Sequence, residues 1–294
     1  MKRLLDISDL TKDDFDNILT YSKNLSIQNN KVLQDKSLGL IFEKYSTRTR
    51  ISFQTGIYQL GGNPIDIKFS ELNMQRDETF EDTFEIFGCY LDAIVYRTDN
   101  HLKLINASNF FKKPIINALS DKSHPCQTIS DIFTLKEHFN KFENLTISWF
   151  GDVNNIVFSL VEALNLFKDI KLNIFTHEDI FNNSFLSVNK NENIRTYFDL
   201  DAELIKKSDC VMTDVFNSMN DIESIDKEKK LIKFQVNKSL MDLTKPECVF
   251  MHCLPANIGS EVTSEVIKSQ KSIVIEQARN RLIAQKGILK CLNI

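Results

Sequence analysis

Ser46-Thr47-Arg48-Thr49-Arg50 gathers three hydroxyls and two guanidiniums into five consecutive positions, just after the apolar run Leu38–Phe42. Those groups bind anions. A helix opening at Ser46 or Thr47 as N-cap offers free backbone N–H groups and a partial positive charge. The hydroxyls add donors, and an arginine adds a bidentate clamp for phosphate. At about 100° per residue, Arg48 and Arg50 point roughly 200° apart on a helix. Arg48 is therefore assigned to the anion and Arg50 to a structural ion pair. The plainer alternative is a well-capped surface helix with solvated arginines.

Four other short stretches carry polar groups of catalytic type. In Ser123-His124-Pro125-Cys126-Gln127, Pro125 suits a first helical turn, which puts His124 in the N-cap region and Gln127 one turn in. A neutral imidazole donates one hydrogen bond to a carbonyl oxygen, and a Gln amide both donates and accepts. Read alone, His-Pro is also an ordinary helix start. Asp152-Val153-Asn154-Asn155, Asp214 and His252-Cys253-Leu254-Pro255 complete the set. Asp214 suits an ammonium group or a helix cap; Cys253 is a thiol beside a polar cleft or a packing residue.

The elements that must position these groups are short apolar runs followed by helical patterns. Leu38–Phe42, Ala93–Tyr96, Leu145–Phe150, Leu172–Phe175, Cys210–Thr213 and Cys248–Met251 read as strands, and Ile273–Ile275 as a further strand-like run. Helical spacing follows at Ile51–Leu60, Thr128–Phe139, Ile156–Phe167 and Glu276–Leu292. Strands alternating with helices predict an α/β fold of two doubly wound domains, each with a central, mainly parallel sheet flanked by helices. The boundary is expected near residues 138–145. In such sheets ligands bind beyond the carboxyl ends of the strands. Five runs deliver their polar groups at that end, Arg97 among them, which predicts a shared cleft. The polar stretch Asn182–Asn193 reads as a surface connection.

Composition excludes several classes. A net charge of −4 with no basic block gives nucleic acid no electrostatic footing. The stretch Lys227–Lys233 contains Glu228 and reads as a solvated face. The N-terminal MKRLLDISDL is neither a secretory signal nor a membrane span. The six cysteines form no C-x-x-C pair and read as free thiols in a reducing compartment, the cytoplasm. No spacing suggests zinc; His177-Glu178 lacks the second His of a metalloprotease motif. The eight glycines form neither G-x-G-x-x-G nor a Walker A loop, which argues against a dinucleotide-dependent oxidoreductase.

Together the motifs resemble the aspartate/ornithine carbamoyltransferase family on its ornithine branch, over nearly the whole chain and in the family's order. Ser-Thr-Arg-Thr-Arg and His-Pro-x-Gln are similar to its carbamoyl-phosphate signatures. Asp-Val-x-x-Ser-Met at 214–219 and His-Cys-Leu-Pro at 252–255 are similar to its ornithine signatures. The aspartate branch has His-Pro-Leu-Pro-Arg at the last motif, where this chain has Cys253 and Ala256. The resemblance implies transfer of a carbamoyl group from carbamoyl phosphate to L-ornithine, without metal or organic cofactor, by a homotrimer. It implies a carbamoyl-phosphate domain at 1–140, an ornithine domain at 141–275, and a closing helix at 276–294 that packs back on the first. Ser46, Thr47, Arg48, Thr49 and Arg97 would hold the phosphate, with Asn73 from a neighbouring loop. His124, Gln127 and Arg281 would surround the carbamoyl group, with Cys253 and Leu254 close to the reacting centre. Asn155, Asp214, Ser218 and Met219 would hold ornithine. Cys253 would accept a proton or orient the amine.

The chain departs from the family pattern at Asn73, where the family has Gln, and at Asn220, where it has Gly. Asn is the next most tolerant residue for left-handed backbone, so Asn220 is compatible with closure of that loop. Rival readings are a carbamoyltransferase for another amine, such as an acylated ornithine or putrescine, and a non-catalytic binding protein on the same fold.

Overall fold

The computed structural model describes residues 1–27, 31–72, 78–181, 187–217 and 225–294. The chain divides into two compact units, Met1–Phe133 with Arg279–Ile294, and Thr134–Ala278.

The first unit holds a five-stranded sheet, β1 (Arg3–Leu4), β2 (Ser37–Phe42), β3 (Asn63–Lys68), β4 (Ala93–Arg97) and β5 (Ile115–Leu119). Its order is β1-β5-β4-β2-β3, and every pairing is parallel. The connecting helices are α1 (Lys12–Ile27), α2 (Thr47–Gln59), α3 (Phe80–Tyr90), α4 (His101–Phe110) and α5 (Pro125–Phe139). β4 is buried along its whole length, as a parallel strand covered on both faces must be. Ile41, Phe84, Ile94, Tyr96, Leu104 and Ile115 form part of the core beneath α3 and α4.

The second unit repeats the plan with β6 (Thr146–Phe150), β7 (Lys171–Phe175), β8 (Ile194–Tyr197), β9 (Cys210–Thr213) and β10 (Val249–His252). Its order is β10-β9-β6-β7-β8, again all parallel. Helices α6 (Asn155–Leu164), α7 (Ala202–Ile205), α8 (Ile225–Leu231), α9 (Lys238–Leu243) and α10 (Ser264–Ile267) connect them. The last helix, α11 (Val274–Lys290), begins in this unit, and its residues from Arg279 belong to the first. Phe150, Phe175 and Tyr197 stack across neighbouring strands, with ring centroids 4.8 and 5.4 Å apart.

The two doubly wound parallel sheets expected from the alternating pattern are present. The run Ile273–Ile275 is not a strand: Val274 and Ile275 open α11, and only Ser272 bridges to Phe250. Three apolar residues fit a helix's first turn as well as a strand, so periodicity could not separate them. Within 187–193 the polar stretch is not wholly superficial, because Asn191 is buried and its amide donates to Leu164 O at 2.8 Å.

Strand order fixes where the chemistry gathers. In the first unit the order reverses between β2 and β4, whose last residues, Phe42 and Arg97, are register partners. In the second it reverses between β6 and β9, where Phe150 faces Thr213. These switch points leave a crevice at the carboxyl ends of the strands.

Candidate functional site

The first crevice collects the anion-binding groups. Ser46 is the N-cap of α2 in backbone conformation, but its side chain makes no capping hydrogen bond. Instead Ser46 Oγ accepts from Arg97 Nη1 at 3.1 Å, tying the helix start to the end of β4. Thr49 is buried one turn in, and its Oγ1 accepts from Arg281 Nη2 at 2.6 Å. Arg50 points away and pairs with Asp66 at 3.2 Å on the outer side. Arg48 is half-buried and Thr47 exposed at the same helix start.

His124 closes this crevice from the start of α5, where its carbonyl accepts from Gln127 N at 3.1 Å and Thr128 N at 3.3 Å. Its ring is buried. Burial, then the Arg281 and Arg97 guanidiniums, hold its pKa well below the ordinary value, so the imidazole is neutral at pH 7. Gln127 is buried, donates from Nε2 to Asp131 at 2.8 Å, and has a buried Oε1 with no donor among the described residues. An acceptor in that condition costs free energy unless a ligand or water supplies an N–H or O–H. Between them Cys126 is a packing thiol: its Sγ lies 3.3 Å from Asn117 O, and burial pushes its pKa up to about 12.

Two carboxylates brace this half. Glu43 accepts from the Tyr96 phenol, from Thr98 Oγ1 at 3.0 Å and from Lys103 Nζ at 3.0 Å, which anchors the segment entering Ser46. Asp6 accepts from the Ser123 hydroxyl and from Lys122 Nζ at 2.7 Å, and faces His101 Nε2 at 3.3 Å. Burial pushes the Asp6 pKa up, but the combined bonds from His101, Lys122 and Ser123 outweigh it and hold the carboxyl far below the usual range. The residue before His124 is thereby fixed.

In the second unit, Gly151 has φ of +110°, and a Cβ there would stand 2.6 Å from the Phe216 ring, so the turn after β6 requires glycine. The buried Trp149 donates from Nε1 to Asp152 O at 2.8 Å and holds that turn. Asn154 then caps α6: its Oδ1 accepts from Ile156 N at 3.0 Å, and its Nδ2 donates to Asp214 Oδ2 at 2.7 Å. Cys253 Sγ donates to the other oxygen, Asp214 Oδ1, at 3.0 Å. Asp214 is buried, so its charge is directed at these neighbours rather than at bulk water. Leu254 adopts φ of +58°, a conformation that costs a non-glycine residue on the order of 1–2 kcal/mol. Its N–H donates to His252 Nδ1 at 2.9 Å. The Leu254–Pro255 bond is cis.

Donor atoms of Asp214, His252 and Cys253 all lie within 4.8 Å of one another, a grouping of metal-ligand type. His252 is already engaged at both ring nitrogens, by Leu254 N and by Glu261 at 3.1 Å, so the trio reads as a hydrogen-bonded cluster.

Ser46, Thr47, Arg48, Thr49, Arg97, His124, Gln127 and Arg281 thus all fall in the first unit, and Asn155, Asp214, Cys253 and Leu254 in the second. Asn73, Ser218, Met219 and Asn220 lie outside the described residues. Asn154, beside the expected Asn155, bonds to Asp214. Glu43 and Glu261 carried no sequence signal of their own, because what each of them meets is decided by the fold.

Comparison with known proteins also divides the chain near residue 140, with α11 counted in the second part. Residues 2–137 match the family model "Aspartate/ornithine carbamoyltransferase, carbamoyl-P binding domain", and 143–292 match "Aspartate/ornithine carbamoyltransferase, Asp/Orn binding domain". The chain is 39% identical to an ornithine carbamoyltransferase of Bradyrhizobium diazoefficiens, covering 98% of this chain and 96% of that protein. It is 36% identical to one from Methanocaldococcus jannaschii, over 98% and 97% of the two chains. Among solved structures, the ornithine carbamoyltransferase of Pyrococcus furiosus superposes with a TM-score of 0.91 at 34% identity, covering 99% of this chain and 96% of that one. That of Thermus thermophilus gives 0.90 at 30% identity, covering 100% and 99%. Two family models spanning almost the entire length, and relatives of this identity and coverage, establish that the chain belongs to the aspartate/ornithine carbamoyltransferase family.

Proposed function

We propose that the two crevices divide the labour of carbamoyl transfer, with carbamoyl phosphate on the first unit and L-ornithine on the second. The chain is a transferase that moves the carbamoyl group from carbamoyl phosphate to the side-chain amine of L-ornithine, giving L-citrulline and phosphate. The observation that carries the division is the company kept by His124: a buried, neutral imidazole beside Arg97 and Arg281, one turn from a buried Gln127 acceptor.

Ser46, Thr47, Arg48, Thr49 and Arg97 hold the phosphate and neutralise it as it leaves. Neutral His124 and Arg281 donate to the carbamoyl oxygen, where negative charge grows as the amine attacks. Gln127 Oε1 accepts from the carbamoyl N–H2. In the step itself the amine nitrogen bonds to the carbamoyl carbon, the carbon–oxygen bond to phosphate breaks, and the amine loses a proton. An alkyl ammonium with pKa of about 10.4 is almost wholly protonated at pH 7, so the site must favour the free amine. Asp214 pairs with the α-ammonium of ornithine, and Cys253, already donating to Asp214, orients the reacting amine or takes up its proton. Asn155 stands at the start of α6 beside them.

The enzyme acts as a homotrimer in the cytoplasm, in arginine biosynthesis or a urea-cycle-type step. Tyr45 and Ile51 near the start of α2 and Tyr58 near its end expose apolar surface, which suits an interface between copies. No described helix is long and apolar enough to cross a membrane. Calorimetric titration with a phosphonate analogue of carbamoyl phosphate tests the division of labour. Binding weakened at least about tenfold by Arg48→Gln and unchanged by Asp214→Asn is the expected result. The reverse pattern would overturn it.

A further inference from the structure

Glu261, nine residues beyond the start of the His-Cys-Leu-Pro motif, is completely buried, and so is the His252 side chain it meets. One oxygen, Oε1, accepts from Asn257 N at 2.6 Å and faces His252 Nε2 at 3.1 Å. The opposite ring nitrogen, Nδ1, accepts the Leu254 N–H at 2.9 Å. A nitrogen that accepts carries no proton, so the ring proton sits on Nε2 and is directed at Glu261. His252 N also donates to Gln277 Oε1 at 2.9 Å, which fixes the end of β10.

One carboxylate oxygen therefore brackets the loop: directly at Asn257, and through the imidazole at Leu254. Leu254, at one of these ties, is held at φ of +58°, and next to it stands Cys253, whose Sγ reaches Asp214. We infer that Glu261 is a positioning residue for ornithine: acting through His252, it sets the ring tautomer, holds Leu254 in its left-handed conformation and so aims the Cys253 thiol at Asp214. The ornithine part rests on the assignment of Asp214 made above; the thiol geometry does not. A buried His–Glu pair that served packing alone would make the same two contacts but would not single out one substrate.

The required property is reach, since a single uncharged oxygen could accept both donors. Glu261→Gln keeps that reach, whereas Glu261→Asp is one methylene too short to span His252 and Asn257. The test compares both full-length variants by steady-state kinetics and by site-resolved iodoacetamide labelling of Cys253. Glu261→Asp is expected to lower kcat/KM for ornithine by at least about tenfold with KM for carbamoyl phosphate unchanged, and to change the Cys253 labelling rate about threefold or more. Glu261→Gln is expected to stay within about threefold of wild type throughout. His252→Asn retains an acceptor for Leu254 N but loses the tie to Glu261, and is expected to give the same selective loss, with no further loss when combined with Glu261→Asp. If Glu261→Asp does not fold, His252→Asn carries the test alone.

Equal effects on both substrates with unchanged Cys253 labelling would overturn the inference, as would a Gln variant impaired as badly as the Asp variant. Absence of citrulline formation by the wild type would instead overturn the ornithine assignment, and the labelling rates would still judge the loop geometry.

Discussion

Arg281 Nη2 donates to Thr49 Oγ1 at 2.6 Å, joining two residues separated by 232 positions in the chain. The bond fixes a guanidinium from α11 against the first turn of α2, where the hydroxyls proposed to hold the phosphate stand. Thr49→Val keeps the shape and removes the acceptor. A hydrogen bond to a charged group contributes about 1.5–3 kcal/mol, so kcat/KM for carbamoyl phosphate should fall about tenfold or more, with little change in KM for ornithine. Steady-state kinetics with each substrate varied in turn reads both.

Asp214 accepts from Asn154 and Cys253 and is assigned the α-ammonium of ornithine. Asp214→Asn removes the charge and keeps the volume. KM for ornithine should rise by about ten- to a hundredfold, the value of one charge-assisted bond in a buried site. 5-Aminopentanoate, which keeps the side-chain amine and the carboxylate but lacks the α-amino group, should lose less on the same substitution. Equal losses for both amines would remove Asp214 from that role.

His124 links activity to acid stability. Its folded pKa lies well below the ordinary value of 6.5, chiefly through burial. The unfolded chain therefore takes up a proton below pH 6.5 that the folded chain refuses. The group's contribution is complete above pH 6.5 and declines as pH falls toward the folded pKa, by up to about 1.4 kcal/mol per pH unit. Urea midpoints between pH 7.5 and 5 should fall less steeply in His124→Asn than in wild type.

Asp6 acts in the same direction over a lower window. Its carboxyl is held below the ordinary value of 3.8, so its stabilisation is present above pH 3.8 and is lost as pH falls further. Asp6→Asn leaves Lys122 and His101 without their carboxylate and should lower stability at pH 7 by about 2–3 kcal/mol, a buried, multiply bonded group being costly to neutralise. Because Ser123 loses its partner too, the turnover number should fall through misplacement of His124. Chemical denaturation and kcat together check both parts.

α11 rests on α1 through a glycine. A Cβ at Gly287 would come within 2.2 Å of Ser22 Oγ and 2.6 Å of Ile18 O. The backbone oxygen cannot move aside cheaply, so Gly287→Ala should destabilise the protein by about 1–3 kcal/mol despite the better helix propensity of alanine. Thermal denaturation measures it, and a variant at least as stable as wild type would show that the two helices are not held this closely.

Much of this architecture was legible because parallel strands are buried on both faces. β4 and β9 therefore appear as unbroken apolar runs with polar groups at their ends. β3 was not legible: it is half-exposed and carries Pro64 and Asp66, so it lacks that run. β5 is interrupted by Asn117, a polar residue made tolerable only by distant contacts, among them Leu5 O at 2.8 Å. The motif residues could be named because each lies in a dense local cluster of polar side chains. The bond from Asn154 to Asp214 was not legible, since which side chain at a helix start turns toward a residue 60 positions away is decided by the fold. Glu43 meets its partners more than 50 residues away, and Glu261 meets His252 and Asn257 only because the loop between them folds back, so neither had a local signature.

The central claim is transfer of a carbamoyl group to ornithine, and citrulline formation from carbamoyl phosphate measures it most directly. Ornithine, aspartate and putrescine should be compared at equal concentration with the purified full chain. Rapid turnover with ornithine, one phosphate released per citrulline, and at most trace product from the other two is the predicted result. No carbamoylated product from ornithine, by a folded protein that still binds a phosphonate analogue of carbamoyl phosphate, would contradict it.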